Sequence, residues 1–81
     1  MITVKFFAIL RESLDCDQII LEQVPETVGE LKTKLSMRSG QWQDALTRYG
    51  SLVAVNQSFV DESHPLRPQD EVAFFPPVTG G

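Results

Sequence analysis

The residues with the most definite chemistry in this sequence carry no side chain. The sequence ends Phe74-Phe75-Pro76-Pro77-Val78-Thr79-Gly80-Gly81. A C-terminal carboxylate ionises near pH 3.5 and in that form resists nucleophiles. Activated as an acyl-adenylate, it becomes an acylating agent that a sulfur or amine nucleophile can attack. Such activation takes place in another protein's narrow site, so the entering residues must be slim. Gly80 and Gly81 lack a Cβ and have nearly free φ. Pro76 and Pro77 favour polyproline II, a stiff spacer that keeps the tip away from the domain. The six residues from Pro76 to Gly81 reach about 19 Å at roughly 3.1 Å each. A stiff base with a bare tip suits insertion, and Gly81 is the expected reactive residue.

The side chains offer conventional catalysis little. His64 precedes Pro65 in a turn-rich stretch with no adjacent nucleophile or second ligand, and reads as a loop residue. Cys16 lies between Asp15 and Asp17, whose charges disfavour a thiolate. One cysteine and one histidine cannot build a tetrahedral zinc site, so no metal is expected. No glycine-rich dinucleotide fingerprint, Walker A sequence or zinc-protease motif occurs. The eleven carboxylates read as a solvated acidic surface.

Those residues must be positioned by a small fold. At 81 residues the chain has room for one core, and a lone cysteine offers no disulfide to staple it. With 42% hydrophobic and 22% charged residues, it has the composition of a folded domain. Seven Lys and Arg against eleven Asp and Glu give a net charge of -4. The basic residues are scattered, whereas a nucleic-acid surface gathers them on one face, so no nucleic-acid partner is expected. The start, "MITVKFFAILRES", carries Lys5 inside its apolar run and no cleavage site, unlike a signal peptide. No stretch has the length of a membrane span. With the unpaired cysteine, these features lead to a cytoplasmic expectation.

Periodicity supplies the elements. Residues 2–10 alternate, with Ile2, Val4, Phe6, Ala8 and Leu10 facing one way and Thr3, Lys5, Phe7 and Ile9 the other, the pattern of a half-buried strand. "SLDCD" reads as a turn into a second strand, "QIILEQV", paired with the first as a hairpin. Thr27-Val28-Gly29-Glu30 matches a capping box, with the Glu30 side chain reaching the Thr27 amide. Val28, Leu31 and Leu35 follow at helical spacing, Glu30 and Lys34 form an i,i+4 pair, and Gly40 is a plausible stop. A short helix over 41–48 carries Trp42, Ala45, Leu46 and Tyr49 on one stripe, most simply core. "SLVAV", a turn at Asn56-Gln57, Ser58–Val60, a loop over 61–70 and "EVAFF" complete the order β-β-α-(α)-β-β-β. A helix across one face of a mixed sheet closes such a chain. The expected class is α+β, a ubiquitin-like β-grasp of about five strands over residues 1–75 with an extended tail over 76–81.

Strand parity also defines an open face. Val72 and Phe74 belong to the core, while Ala73 and Phe75 turn outward, as does Phe7, with Ala54 and Phe59 on the neighbouring strands. Single exposed apolar residues are ordinary. Three phenylalanines converging where the tail leaves the sheet instead make an interaction surface.

"HPLRPQDEVAFFPPVTGG", residues 64–81, resembles the C-terminus of the molybdopterin synthase small subunits, the sulfur-carrier proteins of molybdenum cofactor biosynthesis. The resemblance continues through "FFA" at 6–8, "RE" at 11–12 and "AVNQ" at 54–57. Gly-Gly alone is shared by ubiquitin-like modifiers and thiazole-synthesis carriers; "DEVAFFPPVTGG" is far more specific. The resemblance implies that Gly81 is adenylated by an ATP-dependent activating enzyme and converted to a thiocarboxylate with sulfur from a sulfurtransferase. It implies further that Pro76, Pro77, Val78, Thr79 and Gly80 thread into the large subunit. There Gly81 gives its sulfur to cyclic pyranopterin monophosphate, twice for each molybdopterin dithiolene, within a heterotetramer. Phe7, Phe59 and Phe75 match the family's hydrophobic contact with its partners. ATP is consumed by the activating enzyme, no cofactor is bound by the carrier, and the catalytic groups belong to the large subunit. The alternatives are a carrier for thiazole or tRNA thiolation and a covalent protein modifier.

Overall fold

The alternating run at the start folds as β1 (Ile2–Phe6), with Ile2, Val4 and Phe6 buried and Thr3 and Lys5 half-buried on the opposite face. The computed structural model describes residues 1–77. The expected strand over 2–10 stops at Phe6, and Ala8–Leu14 instead form α1. Two facts explain the switch. The ladders have partners for β1 only as far as Phe6, through Lys5↔Gln18 and Phe6↔Phe74. Beyond it, Leu10 and Leu14 lie one helical turn apart and are both buried, while Ala8, assigned to the core by alternation, is exposed. The segment AILRESL is also rich in good helix formers. Asp15 ends α1 in a left-handed conformation (φ 50, ψ 43). The amide of Cys16 donates to the Arg11 carbonyl and that of Asp15 to Glu12, both at 3.2 Å, the pairing of a Schellman motif.

β2 (Gln18–Leu21) pairs antiparallel with β1, as expected, although a helix rather than a tight turn joins them. It is shorter than the expected strand over 18–24; Val24 packs on the core from the following segment, and Pro25 is fully buried. α2 (Val28–Ser36) begins at Thr27, whose Oγ1 accepts the Glu30 amide at 3.2 Å. The reciprocal half of the capping box is displaced by one residue. The Glu30 carboxylate accepts the Glu26 amide at 3.4 Å, and Thr27 itself enters a β-bridge with Pro65. The Glu30–Lys34 pair forms at 3.5 Å. Gly40 does not stop a helix but opens one: Ser39 caps α3 (Gly40–Tyr49), its Oγ accepting the Trp42 amide at 3.3 Å. On α3, Ala45 and Leu46 are buried, and Trp42 and Tyr49 pack against the core beside them.

β3 (Leu52–Val55) and β4 (Ser58–Val60) are joined by Asn56 (φ 50) and Gln57 (φ 73), the double left-handed turn that suits the twist of a hairpin. β5 (Glu71–Phe75) ends the described secondary structure. The sheet runs β2-β1-β5-β3-β4, with β1 and β5 parallel and every other pair antiparallel. The buried cluster of Val4, Phe6, Val72, Phe74, Val53 and Val55 meets Leu10, Leu31, Leu35 and Leu46 of the three helices on one sheet face. Residues 61–70 form the expected loop and serve as the cap of α2. The carbonyls of His64 and Glu62 accept the Val28 and Gly29 amides at 3.0 and 2.8 Å. With Glu30 bonded to Thr27, no free anion-binding end remains at α2. Gly29 permits this approach, because a Cβ there would lie 3.2 Å from the Glu62 carbonyl oxygen. Within the loop, the Ser63 hydroxyl and amide both donate to the Asp61 carboxylate and hold its pKa below the ordinary value.

Candidate functional site

Because β1 and β5 run parallel side by side, their C-terminal residues arrive at the same end of the sheet. Alternation then separates four phenylalanines onto two faces. On the helix side, Phe6 stacks on Phe74 at 6.2 Å between ring centroids and meets the Trp42 ring edge-on at 5.3 Å and 85°. On the open side, Phe7 lies over Phe75 at 4.9 Å with the rings 6° from parallel, and Phe59 meets Phe75 at 5.8 Å and 58°. The three phenylalanines singled out in the sequence therefore form one cluster with Phe75 at its centre. Phe59 is 70% exposed and Phe7 37%, while Phe75 is half-buried between them.

The floor of the cluster is small. Ala54 and Ala73 face each other across β3 and β5. Parity placed both on the open side, and they are indeed absent from the helix-side core, yet they are only 5% and 8% exposed. The reason is their neighbours: Phe7, Phe59, Phe75, Gln57 and Glu71 stand around them and leave a shallow depression. Glu71 pairs with Lys5 at 3.4 Å on the same face, an exposed ion pair that contributes little to stability. Glu71 was legible by the parity that gave Phe75. Gln57 was not, because its direction depends on the left-handed turn. Pro76, half-buried, and Pro77, exposed, leave this end of the sheet. Val78, Thr79, Gly80 and Gly81 lie outside the described residues.

Cys16 and His64 are held by other parts of the fold. Cys16 is half-buried against the core, and its thiol donates to the Gln18 carbonyl at 3.5 Å. His64 contributes its backbone to the α2 cap. Neither lines the aromatic depression. Among the described residues, no group of three or more His, Cys, Asp or Glu is arranged to hold a metal ion, and no helix is long and apolar enough to cross a membrane. We expect Cys16→Ser and His64→Ala to keep activity within about twofold of wild type, since changes away from a site usually shift free energies by under about 0.5 kcal/mol. Single-turnover assays on variants with wild-type melting curves check this. A large loss in either one assigns it a catalytic role.

The five-strand mixed sheet and its helix layer define a ubiquitin-like β-grasp protein. The chain belongs to the ThiS family, whose match spans residues 4–81. It is 46% identical to the molybdopterin synthase sulfur carrier subunit of Escherichia coli K12 and 40% identical to that of Haemophilus influenzae, each over 81 residues and 100% of both chains. Among solved structures it is similar to SAMP1 from Haloferax volcanii, with a TM-score of 0.73 at 25% identity over 99% of this chain and 98% of that one. It shares its fold with a chain in the complex of subunits 1 and 2 of molybdopterin-converting factor from Helicobacter pylori. There the TM-score is 0.69 at 23% identity, covering 99% of this chain and 97% of that one.

Proposed function

We propose that this chain is the sulfur carrier subunit of a molybdopterin synthase and that Gly81 carries the sulfur as a thiocarboxylate. The observation that carries this reading is the 46% identity to a molybdopterin synthase sulfur carrier subunit, aligned from end to end of both chains. The geometry suits the role: an aromatic surface lies at the sheet end from which Pro76 and Pro77 lead toward Gly81.

In this mechanism an ATP-dependent activating enzyme converts the Gly81 carboxylate to an acyl-adenylate with release of pyrophosphate. The terminal sulfur of a sulfurtransferase persulfide attacks the adenylate and displaces AMP, and a thiol then reduces the resulting acyl disulfide to release the thiocarboxylate. The domain then docks on the large subunit through Phe7, Phe59 and Phe75. Pro76 and Pro77 hold the tip away from the domain, and Val78, Thr79 and Gly80 thread it into the large subunit's site. There the thiocarboxylate sulfur passes to cyclic pyranopterin monophosphate, and the Gly81 carboxylate returns once the acyl link is hydrolysed. Two charged carriers supply one dithiolene. The chain provides binding, reach and the sulfur itself, while acid–base groups come from the large subunit. It binds no cofactor of its own, and ATP belongs to the activation step.

Reconstitution tests the reading. With activating enzyme, ATP and a sulfur source, intact-mass spectrometry is expected to show one oxygen of the protein replaced by sulfur. Mixing the product with large subunit and cyclic pyranopterin monophosphate is expected to form the dithiolene. A charged carrier that the large subunit does not discharge points instead to another thiolation pathway. Gly81 recovered in an isopeptide bond points to a covalent modifier.

A further inference from the structure

Phe7 lies one residue beyond the last ladder pair of β1, Phe6↔Phe74, yet its ring is set within 6° of parallel to Phe75. Something beyond the ladder must hold it. The next residue, Ala8, has φ 55, in the left-handed region. A Cβ there crowds the following carbonyl, so the conformation belongs to glycine or asparagine rather than alanine. The helix that follows does not explain the choice. α1 has seven residues, no side-chain N-cap and no acidic residue in its first turn. Its first link back to the strand, the Arg11 amide donating to the Phe7 carbonyl, is long at 3.4 Å. Nor does burial explain it, since Ala8 is exposed. A glycine would ease the backbone without displacing any packed side chain. It would also free φ at the hinge between Phe7 and the buried Leu10.

We infer that Ala8 is a positioning residue: its strained backbone locks the strand-to-helix reversal that lays Phe7 on Phe75, and through Phe75 it fixes the direction in which Pro76 leaves the sheet. Phe7 is extended (φ -126, ψ 157) and Leu10 is wholly buried. The two sit on opposite sides of the reversal, so rotation at Ala8 moves Phe7 relative to the core. Strain kept beside an interaction surface is common where order at that surface has a use. The partner-binding consequence rests on the function proposed above; the ring order does not.

The test compares Ala8→Gly with Ala8→D-Ala in the full chain, the latter made by chemical ligation. Glycine relieves the strain and loosens the hinge, whereas D-alanine relieves it and keeps the hinge stiff, because a D-residue favours positive φ. For Ala8→Gly we expect a melting temperature at or slightly above wild type, together with loss of the mutual ring-current shifts of Phe7 and Phe75 in NMR spectra. Its affinity for the large subunit is expected to fall roughly threefold to tenfold, in proportion to the loss of the docking-competent population. Ala8→D-Ala is expected to melt higher than wild type and keep both the ring-current shifts and the affinity. Wild-type ring-current shifts in Ala8→Gly overturn the inference, as does a melting temperature far below wild type in both variants. If wild type itself fails to bind the large subunit, the proposed function fails, while the NMR comparison still decides the role of Ala8.

Discussion

Removing Gly81, or adding one residue after it, is expected to abolish thiocarboxylate formation without altering the melting curve. The argument is one of reach. Pro76 follows β5 directly and is half-buried, and Pro77 is exposed, so the domain fixes where the tail begins. Six residues at roughly 3.1 Å each would span about 19 Å if fully extended. A shift of one residue moves the terminal carboxylate by roughly 3 Å along that line. In-line attack on a nucleotide phosphate needs reacting atoms placed to well under that distance, and misplacement by about 1 Å already costs on the order of a hundredfold. Neither change touches the core formed by Val4, Phe6, Val72, Phe74 and their helix partners, so folding is not at stake. Intact-mass spectrometry after incubation with activating enzyme, ATP and a sulfur source reads the result. Sulfur found on Cys16 in wild type, or undiminished charging of the truncated chain, defeats the tail mechanism.

The parts of this site that were legible in the sequence are those governed by period-two geometry. Once EVAFF is read as a strand, Phe74 must face the helices and Phe75 the open side, and the structure keeps that parity. The parallel pairing of β1 with β5 was not legible, because parity buries the same residues whichever way the two strands run. That pairing sets Phe6 beside Phe74, one residue short of the stacked Phe7 and Phe75. Thr27, Glu30 and Lys34 were legible for a different reason: caps and i,i+4 pairs are local, and both appear.

What was missed falls where two periods give the same answer. Leu10 is inward whether residues 2–10 are one strand or a strand followed by a helix, so alternation alone did not reveal α1. Leu14 carried the missing information: four residues after Leu10, it is buried as well. The left-handed residue at Ala8 that makes the switch possible has no sequence signature, because alanine is a poor marker for positive φ. Gly40 was misassigned for a similar reason. Glycine is common beyond a helix end, but Ser39 immediately before it is an equally good N-cap, and the chain uses Ser39. Glu30 bonds the Glu26 amide rather than that of Thr27, at a place where a distant segment runs alongside, with Val28 donating to His64 and Leu66 to Glu26. No local rule anticipates that.

The three aromatic residues are expected to separate binding from stability in a graded way. Phe59→Ala is expected to leave the melting temperature nearly unchanged, because its ring is 70% exposed on the edge strand β4 and surface truncations usually cost under about 0.5 kcal/mol. Phe7→Ala removes one stacked partner, worth about 0.5–1.5 kcal/mol. Phe75→Ala removes the ring that both others touch, so two such pairs go and the fold loses about 1–3 kcal/mol. An outward Phe75 would ordinarily have little to lose on truncation. Its place at the centre of the cluster reverses that. Against the large subunit, each truncation is expected to weaken binding by about 1–3 kcal/mol, the range of a mid-sized aromatic anchor. The tail by itself cannot compensate, since ordering it on binding costs free energy that the domain surface must offset. Phe59→Ala is therefore the cleanest probe: lost affinity in a fully stable domain can only reflect the surface. Calorimetric titration beside thermal melts measures both quantities, with about 4–8 °C expected for each kcal/mol in a domain of this size. If Phe59→Ala and Phe7→Ala both bind as wild type, the aromatic cluster is not the docking surface, and Phe75 is kept for the fold alone.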